Sequence, residues 1–367
     1  MKENNLLNKS SHPFFLVLLT ILAALALFVF PGCAGSNSSS DDDDAEVDNS
    51  LLSGTHYTGS FSSSDNNTSS QTGDTIYDGT GGYDYTVLYD STGGSGSFSG
   101  TYTAQDDGIL TYPESDAVGI FSEDGTVVAY TDTAPAGLDD DIYLGMSIEE
   151  SSGMTAADVT GSYIICQIRR KDGEKLKTAR LEFTFDGVSS FTGTVLSDSD
   201  GTSPGDVTGD YLVSDDGSLE VNLSNPVKSF QGQVSADGKT ILALDDDADN
   251  EIVMMAGVKK TSGASNSLFN GQYQTNVFGG DSDSQSTTRL NSTADGAGNV
   301  TSTVIADSGG GEGTTYEATY TISIDGTTQI EPGPGSGIIS SDGSILILVD
   351  TDDSDDDLQM SISIKKH

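Results

Sequence analysis

Leu181-Glu182-Phe183-Thr184-Phe185-Asp186-Gly187 is the stretch that decides the fold. Leu181, Phe183 and Phe185 alternate with polar residues, and a period of two gives a strand with one buried and one wet face. The Asp-Gly pair behind it is a tight-turn signal, because Gly accepts positive φ at no steric cost. Leu219, Val221 and Leu223 repeat the alternation, as do Tyr320, Ile322 and Ile324. After residue 33 no segment carries a sustained 3.6-residue apolar stripe, so the chain reads as all-β.

The stretch belongs to a unit present three times. The copies open at Thr58-Gly59-Ser60-Phe61, Thr160-Gly161-Ser162-Tyr163 and Asn270-Gly271-Gln272-Tyr273, with glycines 102 and 110 residues apart. Asp-Gly turns follow at Asp78, Asp186 and Asp295, and twelve residues later come Asp90-Ser91, Asp198-Ser199 and Asp307-Ser308. Tyr102, Tyr211 and Tyr320 each precede a turn glycine by six residues. Ser122-Glu123-Asp124-Gly125, Ser235-Ala236-Asp237-Gly238 and Ser340-Ser341-Asp342-Gly343 come next, each followed by an apolar run and an Asp-rich loop. A repeat of this length is a supersecondary unit or a small domain.

The reading is therefore three tandem repeats of an antiparallel meander, roughly eight short strands each, forming small up-and-down barrels or sandwiches. The expected spans are 51–150, 158–260 and 267–367, each folding by itself. The alternative is a six-bladed β-propeller with two blades per unit. The halves of one unit do not match each other, which favours separate units. With its opening Gly-x-Tyr/Phe strand and its meander, the unit resembles lipocalin-like domains. That resemblance implies a small-molecule binder using the barrel interiors.

Residues 1–32 form a signal peptide: Lys2 and Lys9 flank a polar start, then Phe14 to Phe30 is apolar, and Pro31-Gly32-Cys33 follows. The 17-residue run is shorter than the roughly 20 residues a spanning helix needs, and Pro31 ends any helix there. The Cys behind a small residue resembles the lipobox of bacterial lipoproteins, with Phe30 where that motif usually has Leu. The resemblance implies a lipid-acylated Cys33 seated in the bilayer. Ala34, where Asp would resemble an inner-membrane retention signal, implies the outer membrane. Residues 33–50 are polar and self-repelling and read as a disordered tether.

The formal net charge is −42, and no Lys or Arg occurs between Lys9 and Arg169. Such a polyanion lacks the cationic footprint that nucleic acid requires; the partners left are cations, a cell-envelope or extracellular protein, or a glycan. His56 reads as lying before the first unit, and it does not recur in the others, which argues against a catalytic triad or a His-ligated metal. Cys166, in an apolar run, reads as a small hydrophobe. The reading is thus a non-enzymatic lipoprotein with a structural, adhesive or binding module. A periplasmic hydrolase using paired carboxylates is a further alternative.

Two clusters are candidate sites. Asp245, Asp247, Asp249 and Glu251 lie at alternate positions, and Asp350 with Asp352 occupies the matching loop of the third unit. Alternating carboxylates could give Ca²⁺ several of its six to eight oxygen ligands, although no cofactor is required. Arg169, Arg170 and Lys171 are the core of a cationic cluster that could dock an anionic ligand or partner.

Overall fold

The structure is a computed structural model that describes residues 49–64, 67–133, 142–171, 174–201, 205–245, 251–280, 284–332, 335–352 and 358–367. Residues 1–32, most of the tether, Cys33, Asp247 and Asp249 lie outside the described residues. The first unit comprises β1 (Ser53–Ser64), β2 (Asn67–Asp78), β3 (Gly82–Asp90), β4 (Ser97–Thr101), β5 (Thr103–Ala104), β6 (Ile109–Thr111), β7 (Ala117–Phe121), β8 (Val127–Asp132) and β9 (Ile142–Glu149). The second comprises β10 (Gly161–Lys171), β11 (Lys177–Phe185), β12 (Ser190–Asp198), β13 (Asp206–Val213), β14 (Ser218–Ser224), β15 (Val227–Val234), β16 (Thr240–Asp245) and β17 (Glu251–Lys259). The third comprises β18 (Asn270–Gly280), β19 (Gln285–Asp295), β20 (Asn299–Asp307), β21 (Thr315–Ile322), β22 (Thr327–Glu331), β23 (Ser336–Ile339), β24 (Ile345–Val349) and β25 (Leu358–Lys365).

Every pairing joins sequence neighbours except the closing ones. β10 pairs with β17 and β18 with β25, giving two closed eight-stranded barrels. β1 pairs with β9 in the same way, and the sheet of the first unit is interrupted at Tyr102, between β4 and β5. The fold is three antiparallel meander barrels, two closed and one nearly closed, and the propeller is excluded because each unit's last strand returns to its own first strand.

The opening of the first unit needs a correction. The residue facing the one before each Asp-Gly turn is Gly54 (opposite Tyr77), Gly161 (opposite Phe185) and Gly271 (opposite Ala294). All three have positive φ, +98°, +108° and +107°. The true counterpart of Tyr163 and Tyr273 is therefore His56 inside β1, and Gly59 is an unrelated glycine five residues on. The Thr-Gly-Ser-Phe match was a coincidence in a chain with 44 glycines.

The units do not stand apart. The largest apolar cluster lies between the barrels and is built from outward-facing residues of all three. It includes Phe61, Leu144 and Met146 of the first, Ile164, Ile168 and Met254 of the second, and Phe278, Ile347 and Ile362 of the third. Strands at this centre are buried on both faces, as β24 is throughout, and so they read as continuous apolar runs. Cys166 sits here and donates to the Ile347 carbonyl across 3.6 Å; burial pushes its thiol up to about 12, which leaves it inert.

The contacts run in a ring. The amide of Ser151 donates to Asp216 O at 3.0 Å, that of Thr261 to Asp325 O at 3.1 Å, and that of His367 to Asp107 O at 3.3 Å. Each unit's end thus docks on the turn of the next, and the last docks on the first. This is the closure of a cyclic trimer written into one chain. The Asp-rich loops take part: Asp350 O accepts from Thr178 Oγ1, and Asp132 O accepts from Thr287 Oγ1 at 2.5 Å.

Charge follows the ring at two corners and breaks it at the third. Lys260 lies 3.2 Å from Glu182 and 2.9 Å from Asp325, and Lys366 lies 3.0 Å from Asp107. In the first unit Glu150 stands at the lysine position, its carboxyl pKa raised by burial and by Asp74 and Asp216. Glu150→Lys should restore the pattern and stabilise the chain by about 0.5–1 kcal/mol. Thermal unfolding checks this: an unchanged or lower midpoint would mean that the corner is already screened.

Candidate functional site

A cavity of about 560 Å³ occupies the first barrel. Four inward positions, aligned by the strand registers, set it apart from the second barrel. Where the second barrel carries Ile165, Leu181, Phe183 and Met255, the first carries Thr58, Gly73, Thr75 and Gly145. The second barrel is packed solid with Phe183, Phe185, Phe191 and Phe230. In the first, a Cβ at Gly73 would fall 2.5 Å from the Tyr85 ring, and one at Gly145 would fall 2.1 Å from that of Tyr130. Those two glycines let the tyrosines lie flat along the wall.

The lining combines two chemistries. Tyr77, Tyr83, Tyr85, Tyr112, Tyr130 and Tyr143 supply aromatic surface, with Phe98 at 54% exposure on the rim. Most neighbouring rings meet edge to face, as in Tyr83–Tyr112 (5.5 Å, 85°), Tyr83–Phe98 (6.2 Å, 87°) and Tyr130–Tyr143 (5.8 Å, 74°). This is the arrangement ring quadrupoles prefer. Between the rings run hydroxyls: Thr58 Oγ1 lies 2.7 Å from Thr75 Oγ1 and 3.0 Å from Ser147 Oγ, and Ser62 Oγ lies 2.5 Å from Ser69 Oγ. Burial pushes the Tyr85, Tyr112 and Tyr130 phenols well above their ordinary range, so they stay neutral.

Asp90 is the one carboxylate among the described lining residues. Burial alone would raise its pKa, but bonds from Thr92 N (2.7 Å), Thr92 Oγ1 (2.6 Å) and Gln71 Nε2 (3.1 Å) outweigh that and lower it. It is a fixed anion at the top of the barrel. The opposite end is closed by the 3₁₀ turn Asn49–Leu51 and by Leu52, whose carbonyl accepts from Tyr102 Oη at 2.7 Å.

His56 lies at that closed end, fully buried, its ring edge-on to Tyr77 at 5.1 Å. Burial pushes its pKa down from 6.5 to about 4, with a smaller opposing pull from the Ser53 backbone. The folded chain therefore holds a neutral imidazole where the unfolded chain holds a proton below pH 6.5. Stability is full above that pH and is lost as pH falls toward 4, by up to about 3 kcal/mol. In the other units Tyr163 Oη donates to Gly238 O and Tyr273 Oη to Gly343 O. His56→Tyr should reach Gly125 O likewise and shift acid unfolding to lower pH. Superimposable acid-unfolding curves for the two proteins would show that His56 does not titrate on unfolding.

The sequence-derived sites fall elsewhere. Asp245 and Glu251 face the interior of the second barrel, where Lys228 Nζ lies 2.5 Å from Asp245 and 2.8 Å from Glu251. An ammonium thus stands between two of the carboxylates expected to hold Ca²⁺. Asp350 is buried, and its carboxylate accepts from Asp352 N at 2.9 Å. Among the described residues no three His, Cys, Asp or Glu side chains are grouped to hold a metal. Arg169 reaches Asp198 (3.3 Å), Asp200 (2.9 Å) and Glu251 (3.3 Å). Arg170, 3% exposed, donates to Thr68 of the first unit at 3.1 Å and to Gln285 of the third at 2.6 Å. Lys171 is exposed. The two arginines are engaged inside the molecule, one within its barrel and one across the ring.

The cavity residues were not singled out from the sequence, though one signal was there. Nine of the chain's 14 tyrosines fall within residues 51–150, and six of them line the cavity.

No family model and no curated protein matches the chain. Among solved structures, transferrin binding protein B from serogroup B Neisseria meningitidis is similar at 10% identity and a TM-score of 0.29, over 82% of this chain and 65% of that one. A mutant of transferrin binding protein B from Haemophilus parasuis Hp5 gives 9% and 0.29, over 88% and 76%. A protein of unknown function of the DUF3598 family from Nostoc punctiforme gives 12% and 0.20, over 59% and 99%. Scores this low assign neither fold nor function.

Proposed function

We propose that this chain is a non-enzymatic binding protein whose first barrel is a receptacle for a small polar molecule, with the other two barrels as its scaffold. The observation that carries it is the cavity itself, lined where Thr58, Gly73, Thr75 and Gly145 stand in place of the space-filling residues of the second barrel. The resulting cavity falls within the roughly 300–1,000 Å³ of small-molecule sites. A hydrolase using paired carboxylates would need a second one in the cavity, and Asp90, the one carboxylate among the described lining residues, is itself tied to Gln71 and Thr92. The lipobox-like Pro31-Gly32-Cys33 supports an acylated, envelope-anchored form.

The test refills the barrel. Thr58→Ile with Thr75→Phe installs the side chains of the second barrel. Residues 34–367 and this variant are screened by thermal shift against a library of small polar metabolites. At least one compound should raise the midpoint of the parent and leave the filled variant unmoved. If every compound moves both proteins alike, the receptacle reading fails.

A further inference from the structure

We infer that the ligand of the first barrel is a neutral saccharide, longer than a single ring, that stacks on the tyrosine wall and hydrogen-bonds to the hydroxyl rows. This rests on the receptacle reading and narrows it.

The lining excludes other classes by its chemistry. It contains no Lys, Arg or His among its described residues, and the chain's charge of −42 repels anions from any cleft. Phosphorylated, sulfated and carboxylated ligands would have no counter-charge. A lipid tail would leave nine Ser and Thr side chains and Gln71 facing hydrocarbon, and each unmet polar group costs free energy. A quaternary ammonium needs ring faces converging on one point. Here Tyr83 turns edge to face with both Tyr112 and Phe98, and Tyr130 does so with Tyr143.

A pyranose has the matching pair of surfaces. Its ring C–H bonds form an apolar, slightly positive face suited to the negative face of an aromatic ring, and its rim is a belt of hydroxyls that both donate and accept. Ser and Thr hydroxyls are dual in the same way, so each row can answer either orientation of a sugar hydroxyl. Asp90, ionised and held by Thr92 and Gln71, accepts only, and it sits at the end away from the 3₁₀ turn. That end would fix one hydroxyl pair of the saccharide, as charged acceptors make the strongest bonds. The cavity's 560 Å³ suits a short oligosaccharide lying along the tyrosine wall.

Isothermal titration of residues 34–367 tests this with maltotriose, cellotriose and triacetylchitotriose as neutral probes, trigalacturonate as an anionic probe and choline as a cationic one. At least one neutral trisaccharide should bind one to one, while trigalacturonate and choline should not. Phe98→Ser, at an exposed ring that meets Tyr83 and Tyr85, should weaken that trisaccharide by about tenfold or more, and the filled Thr58→Ile, Thr75→Phe variant should abolish binding. Binding by none of the neutral probes, or equal binding to parent and Phe98→Ser, overturns the saccharide. Choline bound by the parent and lost in the filled variant also overturns it, while leaving the receptacle intact. If the metabolite screen yields no cavity-dependent compound either, both readings fall.

Discussion

Replacing Ile347 by Asp should unfold all three barrels in one transition rather than loosen the third alone. Ile347 is fully buried in the cluster shared by the units, and its carbonyl accepts the Cys166 thiol of the second barrel. A carboxylate there must be desolvated or protonated, at a cost of several kcal/mol, against a total stability of about 5–15 kcal/mol. Ile347→Ala is the milder version and should cost about 2–5 kcal/mol. Far-UV circular dichroism and tyrosine fluorescence should report coincident transitions in both variants. The companion experiment removes the ring. Residues 158–260 alone would expose Ile164, Cys166, Ile168, Leu242, Leu244 and Met254, all buried against neighbouring units. That span should self-associate, contrary to the expectation that each unit folds by itself. A monomeric, cooperatively folding fragment would show that the shared cluster is dispensable.

Lys228→Met should destabilise the chain by about 3–5 kcal/mol, the range for breaking a buried ion pair on one side. The Asp245 carboxylate is fully buried beside Glu251, and Lys228 bridges the two. Burial alone would lower the lysine pKa, but its bonds to both carboxylates prevail and raise it. Removing the ammonium takes away the charge placed between Asp245 and Glu251, while Arg169 stays on Glu251. Asp245→Asn combined with Lys228→Met should recover part of the loss, since the pair is then removed together. Urea unfolding of the single and double variants gives the coupling directly. If the single variant loses less than about 1 kcal/mol, the bridge is not what holds that end of the second barrel together.

The all-β class, the three copies and most turn positions were legible in the sequence because they are local. Alternation sets a strand's faces and Asp-Gly sets its reversal, whatever the rest of the chain does. Ser-x-Asp-Gly shows this well: Ser235 Oγ donates to Asp237 at 2.7 Å and accepts from Thr240 N at 2.9 Å, and Ser340 repeats it. The register of the first unit was misread because a four-residue motif carries less information than a pairing. Only Gly54 opposite Tyr77 shows that His56, not Phe61, takes the place of Tyr163.

What the tertiary structure alone decided concerns which side of each strand meets what. A continuous run such as Tyr163-Ile164-Ile165-Cys166 says that both faces are buried. It does not say that one face fills a barrel while the other meets two further barrels. The acidic loops show the same limit, since spacing is visible in a sequence and counter-charge is not: Lys228 and Arg169 reach Glu251 from strands distant in the chain. The cavity follows the same logic. Thr58, Gly73, Thr75 and Gly145 are unremarkable one by one, and they make a hollow only because closure of the barrel turns all four inward together. Periodicity and turns are properties of neighbours along the chain, and a sequence shows them. Volume, charge pairing and ring closure are properties of neighbours in space.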